Sequence, residues 1–487
     1  MYLIDPKAHT RRAFLRRSGQ LAMAGSALPM ALNLALMGDA AAQAAGDDYK
    51  ALVCVFLYGG NDHANTVVTY DDASYNAYSA IRGGGPGQTA GGIALSKASL
   101  AATLLNPTTT LPEGRQYALH PSMSQLATLF NTDAKLAVQL NVGPLVVPLT
   151  RAQFTNGNRK LYPLPPSLFS HNDQQSIWQS SSPEGSTIGW GGNMGDLMLG
   201  QNTNSLLTCI GVGGNTVFLS GDSALAYGVG VGGPTRTSLS ASSVYGSSTV
   251  KAALAEMVRE PRSHAMEGEY TKITKRAVDA EGTVTAAIGS NFPASAFPSV
   301  GLGKQLAMVA RLIRGRAAIG AKRQVFFVAM GRYDMHDDLI SRHPPLLQLL
   351  SDSLAAFYRQ MALLGVADKV TAFTASEFGR TLASNGDGSD HGWGGHQFVL
   401  GGAVKGKQFY GTSPVVSITS DPRLAGYEGQ VGQGRLIPST SVDQYAATLA
   451  TWFGVPATSL EEVVPNLRNF GGSANGIDYP KNVGFLA

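Results

Sequence analysis

Charge is scarce in this chain. Asp, Glu, Lys and Arg make up only 14% of 487 residues, and the formal net charge is +4. There is no basic stripe of the kind that tracks a phosphate backbone, so nucleic acid is excluded as a partner. Cysteine is scarcer still: Cys54 and Cys209 are the two present. Both lie in apolar, strand-like runs, and a disulfide between them does not follow from two cysteines of buried type. Internal repeats, heptads and, past the N-terminal region, membrane-length apolar runs are missing too. What is plentiful is glycine, with 58 residues, which describes a loop-rich, weakly charged globular protein.

Most of the positive charge sits at the start. Residues 1–44 hold Lys7, Arg11, Arg12, Arg16 and Arg17 against Asp5 and Asp39, a net of +3 that leaves about +1 for the rest. Arg11-Arg12-Ala13-Phe14-Leu15 precedes a moderately apolar run from Leu21 to Met37, and Ala42-Gln43-Ala44 offers a small-residue cleavage site. These three regions together predict a twin-arginine export signal over 1–44. The expected partner is the twin-arginine translocase, the expected location periplasmic or secreted, with no stable membrane span after cleavage.

Residues 45–487 read as a single α/β domain. Ala51–Leu57, Leu136–Val142, Val325–Met330 and Val370–Ala375 are short apolar runs of the kind buried on both faces of a parallel sheet. A helix is predicted from Pro344, with Leu346, Leu350, Leu354, Phe357, Met361 and Leu364 spaced by three and four, and Gly365 ends it. Residues near 83–118 and 201–300 read as insertions, the latter placed to cap the sheet edge.

The chemistry gathers where these strands stop. The first runs into Tyr58-Gly59-Gly60-Asn61-Asp62, the third into Asp334-Met335-His336, and the fourth into Ser376-Glu377-Phe378-Gly379-Arg380. Asp390-His391-Gly392-Trp393-Gly394-Gly395-His396 follows before a further strand, Gln397–Leu400. Open parallel sheets bind ligands beyond the carboxyl ends of their strands. Asp62, Asp334, His336, Glu377, Asp390, His391 and His396 are thus candidate ligands converging on one edge. Crowded carboxylates and imidazoles are stabilised by a cation among them. Mixed oxygen and nitrogen donors suit Zn²⁺ or Mn²⁺, with Mg²⁺ or Ca²⁺ at a carboxylate-rich position. In Ser170-His171-Asn172-Asp173, the serine fits either a helix N-cap or a nucleophile at a helix N-terminus. His171 fits a ligand, a proton donor or a surface residue, and Arg380 or Arg332 fits an anion-neutralising group.

The leader, "VFLYGGNDHANTV", "SHNDQQSIW", "DMHDD", "SEFGRT" and "DHGWGGHQFVLGGAVKG" occur in this order. Together they resemble the bacterial family called domain of unknown function 1501, over nearly the whole mature chain. That family is similar in fold to the alkaline phosphatase and sulfatase superfamily. The resemblance implies a three-layer α/β/α sandwich with a mainly parallel central sheet and a metal site at its carboxyl edge. By position, it implies metal-binding roles for Asp62, Asp334, His336, Glu377 and His391 or His396, with Ser167 or Ser170 near the nucleophile. Two departures stand out: Phe378 replaces the histidine that commonly follows the fourth-strand acid, and the sulfatase Cys-x-Pro-x-Arg signature is missing.

The reading implied is an exported metal-dependent hydrolase of phosphate or sulfate esters, with Ser170, His171 and Arg380 in the catalytic role. The alternative is a secreted binding or assembly protein that keeps the fold without turnover.

Overall fold

The structure is a computed structural model describing residues 48–83, 92–236, 243–289 and 292–486. The export signal expected over 1–44 lies outside these residues. The features below belong to the compact unit Lys50–Ala487.

Its elements, in chain order, begin with β1 (Lys50–Leu57) and α1 (Asp72–Ile81), then α2 (Ser124–Asn131) and β2 (Leu136–Gly143). Helices α3 (His171–Ser180) and α4 (Trp190–Met198) follow, then strands β3 (Cys209–Gly211), β4 (Ala226–Gly230) and β5 (Gly233–Pro234). A helical pair, α5 (Ser248–Arg259) and α6 (Ala265–Ile288), leads to α7 (Gly301–Arg314) and β6 (Arg323–Met330). The last third holds α8 (Leu339–Leu363), β7 (Val370–Ala375), β8 (Gly395–Gly401), β9 (Gln408–Tyr410), β10 (Thr440–Ser441) and α9 (Val442–Phe453).

The sheet order is β9-β2-β8-β7-β1-β6-β3-β4-β5, with β10 also paired to β2. β1 lies between β6 and β7, parallel to both. β8 runs against β2 and β7, and β5 runs against β4, so the sheet is mixed but mainly parallel. The apolar runs of β1, β6 and β7 are buried almost throughout, as strands covered on both faces require. On one face Cys54 and Phe56 pack with Trp178 of α3, Trp190 and Met194 of α4, and Tyr445 of α9. Helices α2, α7 and α8 pack together, with α7 against β6. The expected α/β/α layering is therefore what the chain adopts.

Two local differences from the sequence reading have physical causes. Helix α8 starts at Leu339, a turn before Pro344, because the Asp338 carbonyl accepts from the amides of Ser341 and Arg342 and closes that turn first. The strand expected at Gln397–Leu400, β8, begins at Gly395 and runs antiparallel. It enters the sheet at the edge where β1, β6 and β7 leave it, which puts His391 beside the carboxyl ends of those strands. From the segment 201–300, β3 pairs with β6 and β4 with β3, so part of that stretch extends the sheet.

Two glycines set how closely the site loops pack. Gly59 has φ +117°, and a Cβ there would lie 2.3 Å from the amide nitrogen of Asp334. A Cβ on Gly379 would lie 2.1 Å from the carbonyl oxygen of Gly394. Any larger residue would force the loops after β1, β6 and β7 apart.

Candidate metal centre

Four side chains meet at the carboxyl edge of the sheet. Asp334 and His336 follow β6, His391 lies on the short strand Ser389–His391 paired with Arg380–Ser384, and His171 is the first residue of α3. His171, Asp334 and His391 each offer a donor atom within 4.8 Å of the others.

The partners behind each imidazole fix its tautomer. Nδ1 of His171 faces Oε1 of Glu377 at 2.9 Å, and Nδ1 of His391 faces the carbonyl oxygen of Phe169 at 2.7 Å. Nδ1 of His336 faces Oδ1 of Asp390 at 3.1 Å. A carbonyl oxygen and a carboxylate oxygen accept, so each Nδ1 carries a proton, and a ring without a second proton presents a lone pair on Nε2.

Those three Nε2 atoms all turn toward Asp334. His391 Nε2 is 3.2 Å and His336 Nε2 3.0 Å from Asp334 Oδ1, while His171 Nε2 is 3.3 Å from Oδ2. His336 and His391 approach nitrogen to nitrogen at 3.0 Å. Lone pairs and a carboxylate at such spacings repel unless a positive charge joins them. Ligands 2.0–2.1 Å from a tetrahedral zinc stand about 3.3 Å from one another, so the donor set fits a divalent cation in both chemistry and spacing. Imidazoles backed by carboxylates and carbonyls are the usual second layer of such a centre.

The electrostatics of the cluster are uneven. The hydrogen bond to Glu377 raises the pKa of His171 above its ordinary value, outweighing burial. Burial lowers that of His391. Burial pushes the Asp334 carboxyl up, but the Arg380 hydrogen bond and charge outweigh it and hold it below the usual range. Asp390 is likewise held low, its burial outweighed by hydrogen bonds from Asn385 and His336.

The other residues singled out in the sequence fall into two groups. Glu377 and Asp390 stand one layer back. Glu377 is wholly buried and accepts also from the Gly59 amide at 2.8 Å and Gln175 Nε2 at 3.0 Å, so its oxygens face the protein. Asp62 and His396 are elsewhere. Asp62 caps the short helix His63–Thr66 through the Asn65 amide, and its second oxygen binds Arg82 at 2.9 Å and Ser389 Oγ at 2.6 Å. An arginine supplied from the end of α1 thus takes the position that the sequence reading gave to a cation. His396 lies within β8, buried, its Nδ1 accepting from the Asn141 amide at 3.0 Å.

Arg380 is fully buried. It donates to the carbonyls of Gly59 and Ser389 and to Asp334 Oδ1 at 2.9 Å, so it braces Asp334 rather than facing a ligand. Ser170 occupies the N-cap of α3, yet its hydroxyl makes no capping hydrogen bond. Phe378 is buried with its ring centroid 4.9 Å from that of His171 and 4.7 Å from that of His391.

Two contributors were missed in the sequence. Gln175 follows His171 by one helical turn, and that i, i+4 spacing was a readable signal. Arg435 gave none: it lies between β9 and β10, in a stretch without a helix or strand of its own. Its Nε donates to the carbonyl of His391 at 2.7 Å and its guanidinium lies over the Phe169 ring, 5.3 Å from the centroid. Neither of its terminal nitrogens has a hydrogen-bond partner among the described residues.

The sequence profile of a family described as "Protein of unknown function (DUF1501)" matches residues 49–423, over three quarters of the chain. The chain belongs to that family. The matched span takes in all four cluster residues of this DUF1501 protein and stops short of Arg435. No curated protein matches the DUF1501 chain in sequence. Among solved structures, the crystal structure of PsFucS1 sulfatase from Pseudoalteromonas sp. is similar, with a TM-score of 0.34 and 9% identity, covering 95% of this chain and 76% of that one. At that level of likeness nothing about its reaction carries over.

Proposed function

We propose that this protein is an exported, metal-dependent hydrolase of phosphate or sulfate esters. The observation that carries the reading is the set of three imidazoles, each tied through Nδ1 to an oxygen, with Nε2 atoms turned toward one carboxylate. His171, Asp334 and His391 would hold the cation, and His336 stands beside them, its Nε2 3.0 Å from Asp334 Oδ1 and 3.0 Å from His391 Nε2. Zinc or manganese suits that set best. Such an ion supplies Lewis acidity toward an ester oxygen.

The chain's own residues do the rest. Glu377 and Asp390 keep His171 and His336 in the ligating tautomer. Arg380 holds Asp334 in place from below. Arg435, pinned at Nε beside His391, offers its terminal N–H groups as a fork for an anionic ester. Ser170, flanked by Phe169 and His171 and free of capping duty, is the hydroxyl best situated for attack. Export rests on the Arg11-Arg12 leader.

Metal analysis of the purified mature protein, with assays on aryl phosphate and aryl sulfate esters, tests the reading. Stoichiometric metal and turnover, both lost in His391→Ala, support it. Metal without turnover across both ester classes favours the second reading, a secreted binding or assembly protein. Phe378 speaks for that alternative, because its ring covers one side of both His171 and His391.

A further inference from the structure

A second cleft lies behind the strand pair that carries Arg380 and His391. It is a narrow, half-open cleft between apolar walls that include Val67, Leu382, Val416 and Leu436. His63 and His396 line it together with Thr69, Tyr78, Arg115 and Tyr117. Each is only 4% exposed, and their rings meet edge to face, 5.0 Å between centroids.

Backbone amides fix both rings in the same sense. The Asn141 amide donates to Nδ1 of His396 at 3.0 Å, and the Arg380 amide donates to Nδ1 of His63 at 3.4 Å. Each Nδ1 is therefore an acceptor, and each neutral ring carries its proton on Nε2. Burial keeps both rings neutral, pushing the pKa of His63 down to about 4. Among the described residues neither Nε2 has a hydrogen-bond partner, and neither is among the side-chain atoms sealed from solvent. In side chains so deeply buried, the surface left to those atoms is the surface that the cleft exposes.

We propose that this cleft binds a small, largely apolar molecule bearing one acceptor oxygen, a carboxylate or a carbonyl, received by the Nε2–H groups of His63 and His396. Two donors left without acceptors beside apolar walls fit such a group, and the walls fit its acyl or aryl part. Arg115, which also lines the cleft, is already paired with Asp71 at 3.4 Å, so a neutral carbonyl fits as well as a carboxylate. No residue of the metal cluster lines the cleft, and the proposal stands without any reading of that cluster.

Calorimetric titration of the purified full-length protein with hexanoate, hexanamide and hexylammonium tests it, alongside the imidazole N–H resonances. Hexanoate or hexanamide is expected to saturate and to shift the signals of His63 and His396. Binding of hexanoate alone identifies a carboxylate site, and of hexanamide alone a carbonyl site. Val416→Trp, which fills the cleft from its wall, is expected to weaken binding about tenfold or more with metal content unchanged. The proposal is overturned if neither acceptor binds at about 10 mM, a very weak affinity, if hexylammonium binds equally well, or if Val416→Trp leaves the affinity unaltered.

Discussion

Oε1 of Glu377 stands 2.9 Å from Nδ1 of His171, and that carboxylate is completely shielded from solvent. A buried acid with two further donors on the same oxygen, the Gly59 amide and Gln175 Nε2, is shaped to aim an imidazole rather than to meet a ligand. Removing a partner of this kind commonly weakens metal binding by about 10–100-fold. Glu377→Ala is expected to fall in that range in competition with a chromophoric chelator. An affinity equal to wild type would sink the assignment.

Metal affinity is expected to depend on pH through His171. Its pKa is raised by the hydrogen bond to Glu377, so a proton competes for Nε2 from above the ordinary histidine value of about 6.5 downward. His391, whose pKa burial lowers, joins that competition only at more acidic pH. Chelator titrations are expected to show affinity declining from about pH 8 to pH 6, with a smaller decline in His171→Gln. A flat profile over that interval contradicts this.

The two arginines near the cluster are expected to behave in opposite ways. Arg380→Met strips a buried guanidinium from two carbonyls and Asp334, and leaves that network unpaired. Leaving a buried carbonyl without its donor costs about 1–3 kcal/mol, and two are left here, which denaturant unfolding will register. Arg435→Met loses one hydrogen bond, about 1 kcal/mol, and its effect is expected instead on KM for an anionic ester. Equal destabilisation by both would refute the division of labour.

Folding stability is expected to fall in mild acid. His63 and His120 have pKa values lowered to about 4 and His343 to about 3, in each case by burial first. The unfolded chain takes up these protons near pH 6.5 and the folded chain does not, so their contribution is complete above about 6.5 and is lost as pH drops toward 4. Asp443 has the opposite sign. Burial raises its pKa to about 6, so its contribution is complete below about 3.8 and is lost as pH rises through 6. Three groups outweigh one, and melting temperature is expected to decline between pH 6.5 and 4. A melting temperature constant over that interval contradicts the buried neutral histidines.

The sheet was legible because β1, β6 and β7 are short apolar runs ending in acidic, Gly-rich turns, a pattern that depends on burial alone. The direction of β8 was not, because nothing in Gln397–Leu400 tells whether a strand enters or leaves an edge. Asp334, His336 and His391 could be read as a group from their place after strands. Asp62 and Glu377 occupy equivalent places, yet one is claimed by Arg82 and the other by Gln175 and Gly59, partners 20 to 318 residues distant. Which acid meets a cation and which meets an arginine is decided by those distant partners. No window of sequence contains that information.

His171 precedes four strands of the sheet in the chain, Asp334 follows them, and His391 arrives only after β7 has been laid down. No contiguous fragment shorter than this whole interval holds the three donors together. A chain that stops anywhere before His391 lacks one of the three donors, however much of the sheet it already contains.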